Sequence, residues 1–301
     1  MLTEPLFSFC ALTLKTKKGI MFVYVQISSE RKSAMNILVT LNSGYIGPLS
    51  VMLKSIMINE PETEINLYVA HSSLTDEDFQ IIDRVIDKSR TTVHPIQVDP
   101  ALMENAPVLK RISKETYYRL LVLDIIPENV DRILYMDPDI VVNKSMKDLY
   151  NVDFKGNIVA GAGHTVGCVE WYNKKRLDMP ENSHYVNAGV LVFNLEEMRK
   201  SYTTQDIFDY IEKNLKKLWL SDQDVINGMF GGKTAYFDTR VFNLDEKVFK
   251  RERKTDLKWV RENTSIIHYN GSQKPWKPEY KGKLAEFYFH YKSLADKDLK
   301  E

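Results

Sequence analysis

Two aspartates separated by one residue, Asp137-Pro138-Asp139, close the apolar run Ile133-Leu134-Tyr135-Met136. In extended backbone residues i and i+2 face the same side, so both carboxylates aim at one place. Like charges so close repel unless a cation neutralises them or one carboxylate is protonated. Pro138 fixes the intervening φ and stiffens the pair. Oxygen ligands suit Mg²⁺ or Mn²⁺ rather than zinc. Asp-x-Asp is also common in exposed turns; its place at the end of a buried strand, where doubly wound sheets bind ligands, favours a site. Among the six histidines, His268 has the best setting for a third ligand, because it follows the apolar Ser265-Ile266-Ile267 at another strand end. An imidazole joined to two carboxylates favours Mn²⁺ over Mg²⁺. The segment that follows, Tyr269-Asn270-Gly271-Ser272-Gln273-Lys274-Pro275-Trp276, offers what a diphosphate needs. Gly271 lets backbone approach an anion closely, and Lys274 supplies a point charge. A metal on the aspartates would neutralise the same diphosphate and help it leave.

Such residues need a scaffold, and the pattern from Met35 onward supplies one. Ile37–Leu41 is a short continuous apolar run, the mark of a strand buried on both faces. After Asn42-Ser43-Gly44, Leu49, Met52, Leu53, Ile56 and Met57 recur at helical spacing. A strand over Ile65–Ala70 follows, then a helix capped by Thr75 with acids in its first turn and Phe79, Ile82 and Ile86 on one face. Thr92–Val98 reads as a strand in which Pro95 marks an edge or a bend. A helix carrying Tyr117, Leu120, Leu121 and Leu123 ends before Pro127. This alternation predicts parallel pairing in a doubly wound α/β sheet. The second half is less regular. Strands are expected at 133–136, 158–161 and 189–193, and helices over 196–200, 205–215 and 223–229.

The chain has 301 residues and a formal net charge of zero, with 44% hydrophobic and 27% charged residues. That balance belongs to a globular protein and argues against a dedicated nucleic-acid binder. Two cysteines, Cys10 and Cys168, make no disulfide framework and point to a reducing compartment. No apolar run approaches the ~18 residues that span a bilayer. The run Pro5–Leu14 has Glu4 before it and Lys15, Lys17 and Lys18 after it, the reverse of a secretory signal. Residues 1–34 are therefore expected to be an extension outside the fold, with Met35 as a second possible start. Residues 35–301 are expected to form one domain that ends in a packed helical tail.

The motifs in order resemble glycosyltransferase family 8, the retaining, metal-dependent transferases. They are Asn36–Tyr45, Ile112–Leu120, Leu134–Asp139, Tyr185–Val190, Ser221–Asp224 and His268–Trp276. Each is weak alone, and six in the right order are strong. The resemblance implies a GT-A nucleotide-diphospho-sugar transferase fold, a mixed, mostly parallel sheet flanked by helices, binding a UDP-sugar with Mn²⁺ (or Mg²⁺). By the same resemblance Asp137, Asp139 and His268 hold the metal, and Gly271 and Lys274 hold the diphosphate. Thr40, Asn42 and Tyr45 match the uracil and ribose site. Many members carry Asp or Glu followed by Asn where this chain has Asn42-Ser43-Gly44; the Asn42 carbonyl can still accept the uracil N3–H. Arg119, Asn187, Ala188, Asp222 and Gln223 match positions near the donor sugar. Bland alternatives stand beside these: a solvated arginine, a turn at Asn187-Ala188, and a helix cap by Asp222 or Ser221.

The implied activity is transfer of galactose or glucose from a UDP-sugar to a saccharide, lipooligosaccharide or other glycan hydroxyl. Gln223, the residue expected beneath the sugar, is a neutral amide and a poor nucleophile. That favours a front-face route over the double displacement of retaining glycosidases. Asp222 is adjacent, and helical geometry is expected to turn it elsewhere. The acceptor site is expected around residues 161–184, where Trp171 and Tyr172 could stack on a sugar or pack into the core. A metal-dependent nucleotide-sugar hydrolase and a non-catalytic nucleotide-sugar binder remain as alternatives. The expected location is cytoplasmic, with at most peripheral contact to the inner face of the membrane.

Overall fold

The structure, a computed structural model, describes residues 34–99 and 117–300, together with the backbone of Ser8–Thr16 and Gly19–Ile27. The part of the predicted motif over 112–116 lies outside the described residues. The chain divides into two units, Met1–Ala34 and Met35–Glu301. In the first, β1 (Ser8–Thr16) pairs antiparallel with β2 (Gly19–Ile27). Nothing in the sequence reading anticipated these strands.

The second unit carries β3 (Met35–Leu41), β4 (Ile65–His71), β5 (Thr91–Gln97), β6 (Arg132–Met136), β7 (Ile140–Val142), β8 (Val159–Gly163), β9 (Val186–Asn194), β10 (Thr234–Tyr236) and β11 (Ile266–His268). Seven of them form a sheet in the order β10-β8-β9-β6-β3-β4-β5. β9 runs antiparallel to both of its neighbours, and every other pairing in this sheet is parallel. The mixed, mostly parallel sheet is thus the one expected, and Pro95 sits on its edge strand β5.

Side-chain alternation builds a core on each face. Leu38, Tyr135, Leu191 and Phe193 enter one apolar layer. Ile37, Val39, Leu134, Met136, Val190 and Val192 enter the other. Because both faces are covered, these strands read as continuous apolar runs. Helix α1 (Ile46–Asn59) buries Leu49, Met52, Leu53 and Ile56. Helix α2 (Asp76–Val85) starts at a full capping box, with Thr75 Oγ1 accepting from Asp78 N–H and the Asp78 carboxylate accepting from Thr75 N–H. Ile86, expected on this helix, is its extended C-terminal boundary. The helical stretch from Tyr117 tightens at Arg119–Leu121 and stops at Ile126, before Pro127.

Two features place the chemistry. β3 and β6 lie side by side in parallel, Leu38 opposite Tyr135, so Thr40 and Asp137 emerge together at one sheet edge. Beyond Asp139 the chain makes a separate antiparallel ribbon, β7 with β11, in which His268 lies opposite Ile140. Leu244 bridges to Ile267 and sets Asn243 beside the end of β11. Over this ribbon packs a terminal helix, Ala285–Asp298, burying Phe287, Tyr288 and Tyr291.

Candidate active site

Strand ends converge on a cavity of about 240 Å³. Thr40, Asn42, Tyr45, Arg119, Asp137, Asp139, Asn187, His268, Gly271 and Lys274 all line it. Ala188, Asp222 and Gln223 are not among its lining residues and hold the lining side chains from behind.

The acidic pair meets the histidine at a bend through Pro138 and Asp139. His268 Nε2 lies 3.3 Å from Asp139 Oδ1 and 3.6 Å from Asp137 Oδ2. One ligand atom from each of the three residues falls within 4.8 Å of the others. His268 Nε2 is buried and has no hydrogen-bond partner. A buried nitrogen aimed between two carboxylates, itself unbonded, fits a divalent cation held by all three. Gly189 leaves the room: a Cβ there would stand 2.2 Å from His268 Cε1 and 2.6 Å from Asp137 Oδ2.

The electrostatics lower both carboxylates, through different partners. Burial pushes Asp137 up, yet the Arg119 guanidinium and His268 outweigh it and hold the carboxyl far below its usual range. Asp139 is likewise lowered: burial opposes, and His268 and Lys274 prevail. Burial would lower His268, but Asp139 and Asp137 raise it to about 9. Lys274 Nζ pairs with Asp139 and also donates to the Tyr269 carbonyl at 2.9 Å. The turn that carries it passes through Gly271 at φ +89, a conformation that favours glycine.

Arg119 is buried rather than solvated. Its Nη1 lies 3.0 Å from Asp137 Oδ1 and 2.8 Å from the Ala188 carbonyl, and its Nε lies 3.1 Å from Asp222 Oδ2. Asp222 therefore faces Arg119. Burial lifts its carboxyl to about 6, and Arg119 offsets this only in part. Neither Asp222 nor Ser221 caps the helix Ser221–Phe230. Ser221 takes φ +58, and Asp224 instead accepts from Trp219 and Leu220 N–H at 2.6 and 2.7 Å. Gln223 Oε1 accepts from Asn187 Nδ2 at 2.9 Å and Ala188 N–H at 3.2 Å, while its Nε2 donates to the Tyr185 hydroxyl at 3.1 Å.

Just beyond β3, Asn42 Oδ1 accepts from Gly44 N–H at 3.0 Å, so one lone pair of the acceptor predicted for uracil is engaged. Thr40 Oγ1 lies 3.1 Å from the Tyr135 hydroxyl, which donates to Asp137 Oδ1 at 2.6 Å. Tyr45 meets Trp276 edge to face at 6.1 Å. Trp171 and Tyr172 are exposed on the helix Gly167–Arg176 and do not enter the core.

Sequence reasoning did not single out Tyr135 or Asn243. Tyr135 carries a signal, since it precedes Asp137 by two residues and so shares its side of the strand. Asn243 carries none; it reaches the site only through the pairing of Leu244 with Ile267.

Comparison with known proteins identifies the family and the fold. The family model "Glycosyl transferase family 8" matches residues 36–279. General stress protein A of Bacillus subtilis is 25% identical over 281 residues, covering 88% of this chain and 96% of that protein. Lipopolysaccharide 1,2-glucosyltransferase of Escherichia coli is 24% identical, covering 83% of this chain and 75% of that protein. Among solved structures, galactosyltransferase LgtC in complex with donor and acceptor sugar analogs superposes with a TM-score of 0.73 at 26% identity, over 86% of this chain and 96% of that one. A family match across most of the chain, on a sheet and site of this form, shows that the protein is a glycosyltransferase and belongs to glycosyltransferase family 8.

Proposed function

We propose that this protein transfers galactose or glucose from a UDP-sugar to a hydroxyl of a saccharide, lipooligosaccharide or other glycan, with retention of anomeric configuration. The observation that carries the reading is the convergence of Asp137, Asp139, His268, Arg119 and Lys274 in one cavity at the strand ends. Asp137, Asp139 and His268 would hold a divalent cation, Mn²⁺ in preference to Mg²⁺ for a site with an imidazole. When bound, the cation would supply Lewis-acid stabilisation of the leaving diphosphate.

The chain's own residues do the remainder. Lys274 turns from Asp139 toward the diphosphate, and Gly271 brings backbone close to it. Thr40, Asn42 and Tyr45 receive the nucleoside. Arg119 and Asn187 line the donor sugar, while the Ala188 carbonyl and the Asp222 carboxylate keep Arg119 in place. Gln223 lies beneath the sugar as a dipole, since its oxygen is already engaged by two donors. That favours a front-face reaction. The bond from the anomeric carbon to the diphosphate oxygen breaks, and the bond to the acceptor oxygen forms on the same face. The acceptor proton passes to the departing diphosphate.

A cytoplasmic site with at most peripheral contact to the inner membrane face goes with this reading. No helix among the described residues is long and apolar enough to cross a membrane. The test is a panel of UDP-sugars with Mn²⁺, with and without saccharide acceptors, read by UDP release and by NMR of the product. An α-linked product that requires acceptor supports the proposal. Free sugar released equally fast without acceptor would make the protein a hydrolase, and tight UDP binding without turnover would make it a binder.

A further inference from the structure

A continuous hydrogen-bond chain runs from His268 to the donor side of the site, and each link has a fixed direction. The Asp224 carboxylate takes a 2.6 Å bond from the Tyr185 hydroxyl. A carboxylate in that role accepts, so the Tyr185 oxygen is left to accept from Gln223 Nε2. Gln223 Oε1 then faces the Ala188 N–H and Asn187 Nδ2. Asn187 Oδ1 accepts from the Gly189 N–H at 3.0 Å and from Asn243 Nδ2 at 3.1 Å. Asn243 Oδ1 therefore accepts from His268 Nδ1 at 2.9 Å. Two backbone N–H groups, of Ala188 and Gly189, anchor the amides of Gln223 and Asn187 against a flip.

We infer that Asn243 is a positioning residue that couples the two halves of the site. It keeps His268 protonated on Nδ1, with Nε2 turned to Asp137 and Asp139, and it holds Asn187 so that Gln223 stays beneath the donor sugar. The inference rests on the metal and donor reading given above. Asn243 is fully buried, and its place beside His268 is fixed by Leu244, whose carbonyl accepts from His268 N–H at 2.8 Å. A histidine ligand depends on the partner of its other nitrogen for orientation, and loss of that partner typically weakens a metal by about 10–100-fold.

Two substitutions separate the halves. Asn243→Ala removes both bonds; it should weaken Mn²⁺ binding, read by calorimetry or EPR, by about 10–100-fold. Asn243→Asp still accepts from His268 but presents an oxygen to Asn187 Oδ1. It should keep Mn²⁺ affinity within about threefold while kcat falls about tenfold or more, on the scale of such outer contacts. The inference is overturned if Asn243→Ala binds Mn²⁺ as the unaltered protein does, or if Asn243→Asp loses cation and turnover together. Should the unaltered protein bind no divalent cation, the metal assignment falls by itself. The ¹⁵N NMR tautomer of the neutral His268 imidazole still decides the inference. Nδ1–H supports it, and Nε2–H contradicts it.

Discussion

Arg119 Nη1 stands 3.0 Å from Asp137 Oδ1, so a cationic side chain already touches one of the carboxylates assigned to the metal. The contact favours the ionised form of Asp137 against its partial burial, and it ties Arg119 to the acidic pair. A ligand set held anionic in this way is ready for a divalent cation without waiting for a proton to leave the carboxylate.

Arg119→Ala leaves the buried Asp222 and the half-buried Asp137 without their shared partner. Removing one member of a buried pair typically costs about 3–5 kcal/mol. The variant should show a large fall in Tm by calorimetry and no measurable transfer. Arg119→Lys keeps the charge but cannot serve Asp137, Asp222 and the Ala188 carbonyl together, and should recover stability better than kcat.

The pH response follows from His268. Its pKa rises from 6.5 to about 9 in the cation-free protein. The folded state then binds a proton more tightly than the unfolded one. The stability this contributes is full below 6.5 and is lost as pH rises through about 9. A cation replaces that proton. Mn²⁺ affinity should therefore climb by up to about tenfold per pH unit within this window, with one proton released per ion. Calorimetry in buffers of different ionisation enthalpy measures the release. A flat affinity across the window contradicts it.

Gly189→Ala forces a methyl into the space between His268 and Asp137. Overpacking of this kind costs about 1–3 kcal/mol. The variant should fold, with Mn²⁺ affinity reduced far more than thermal stability. Unchanged cation binding would mean that the three ligand residues can meet in some other way.

Thr75→Ala tests the scaffold alone. Losing the cap of α2 should cost about 1 kcal/mol, and chemical denaturation should show it. Transfer kinetics should stay as they were, because Thr75 does not line the cavity.

How much of this the sequence discloses depends on the range of each interaction. The aspartate pair, the Thr75 capping box and the buried strands are set by residues within a few positions of one another, and local periodicity reveals them. The motifs single out Arg119, Asn187, Ala188, Asp222 and Gln223, which the structure brings together, but the burial of Arg119 is not legible, since it comes from Asp222 and Ala188 far along the chain. Asn42 Oδ1 looked like an open acceptor, but the turn uses it to receive Gly44 N–H. The helix cap weighed as an alternative role for Ser221 or Asp222 is not formed, and the Asp224 carboxylate instead reaches back to Trp219 and Leu220 N–H. Asn243 has no local pattern at all. Its place follows from strand pairing at β11, which a single sequence does not encode in any short window.

In the proposed function, Asp137, Asp139 and His268 form a metal site that drives release of UDP from a UDP-sugar. The most direct measurement is UDP release from UDP-galactose and UDP-glucose by the unaltered protein and by Asp139→Asn, each with Mn²⁺ and with excess chelator. Acceptor-stimulated release is expected from the unaltered protein with Mn²⁺, and background rates in chelator and in the folded variant. Equal release in chelator, or full activity in Asp139→Asn, would contradict it.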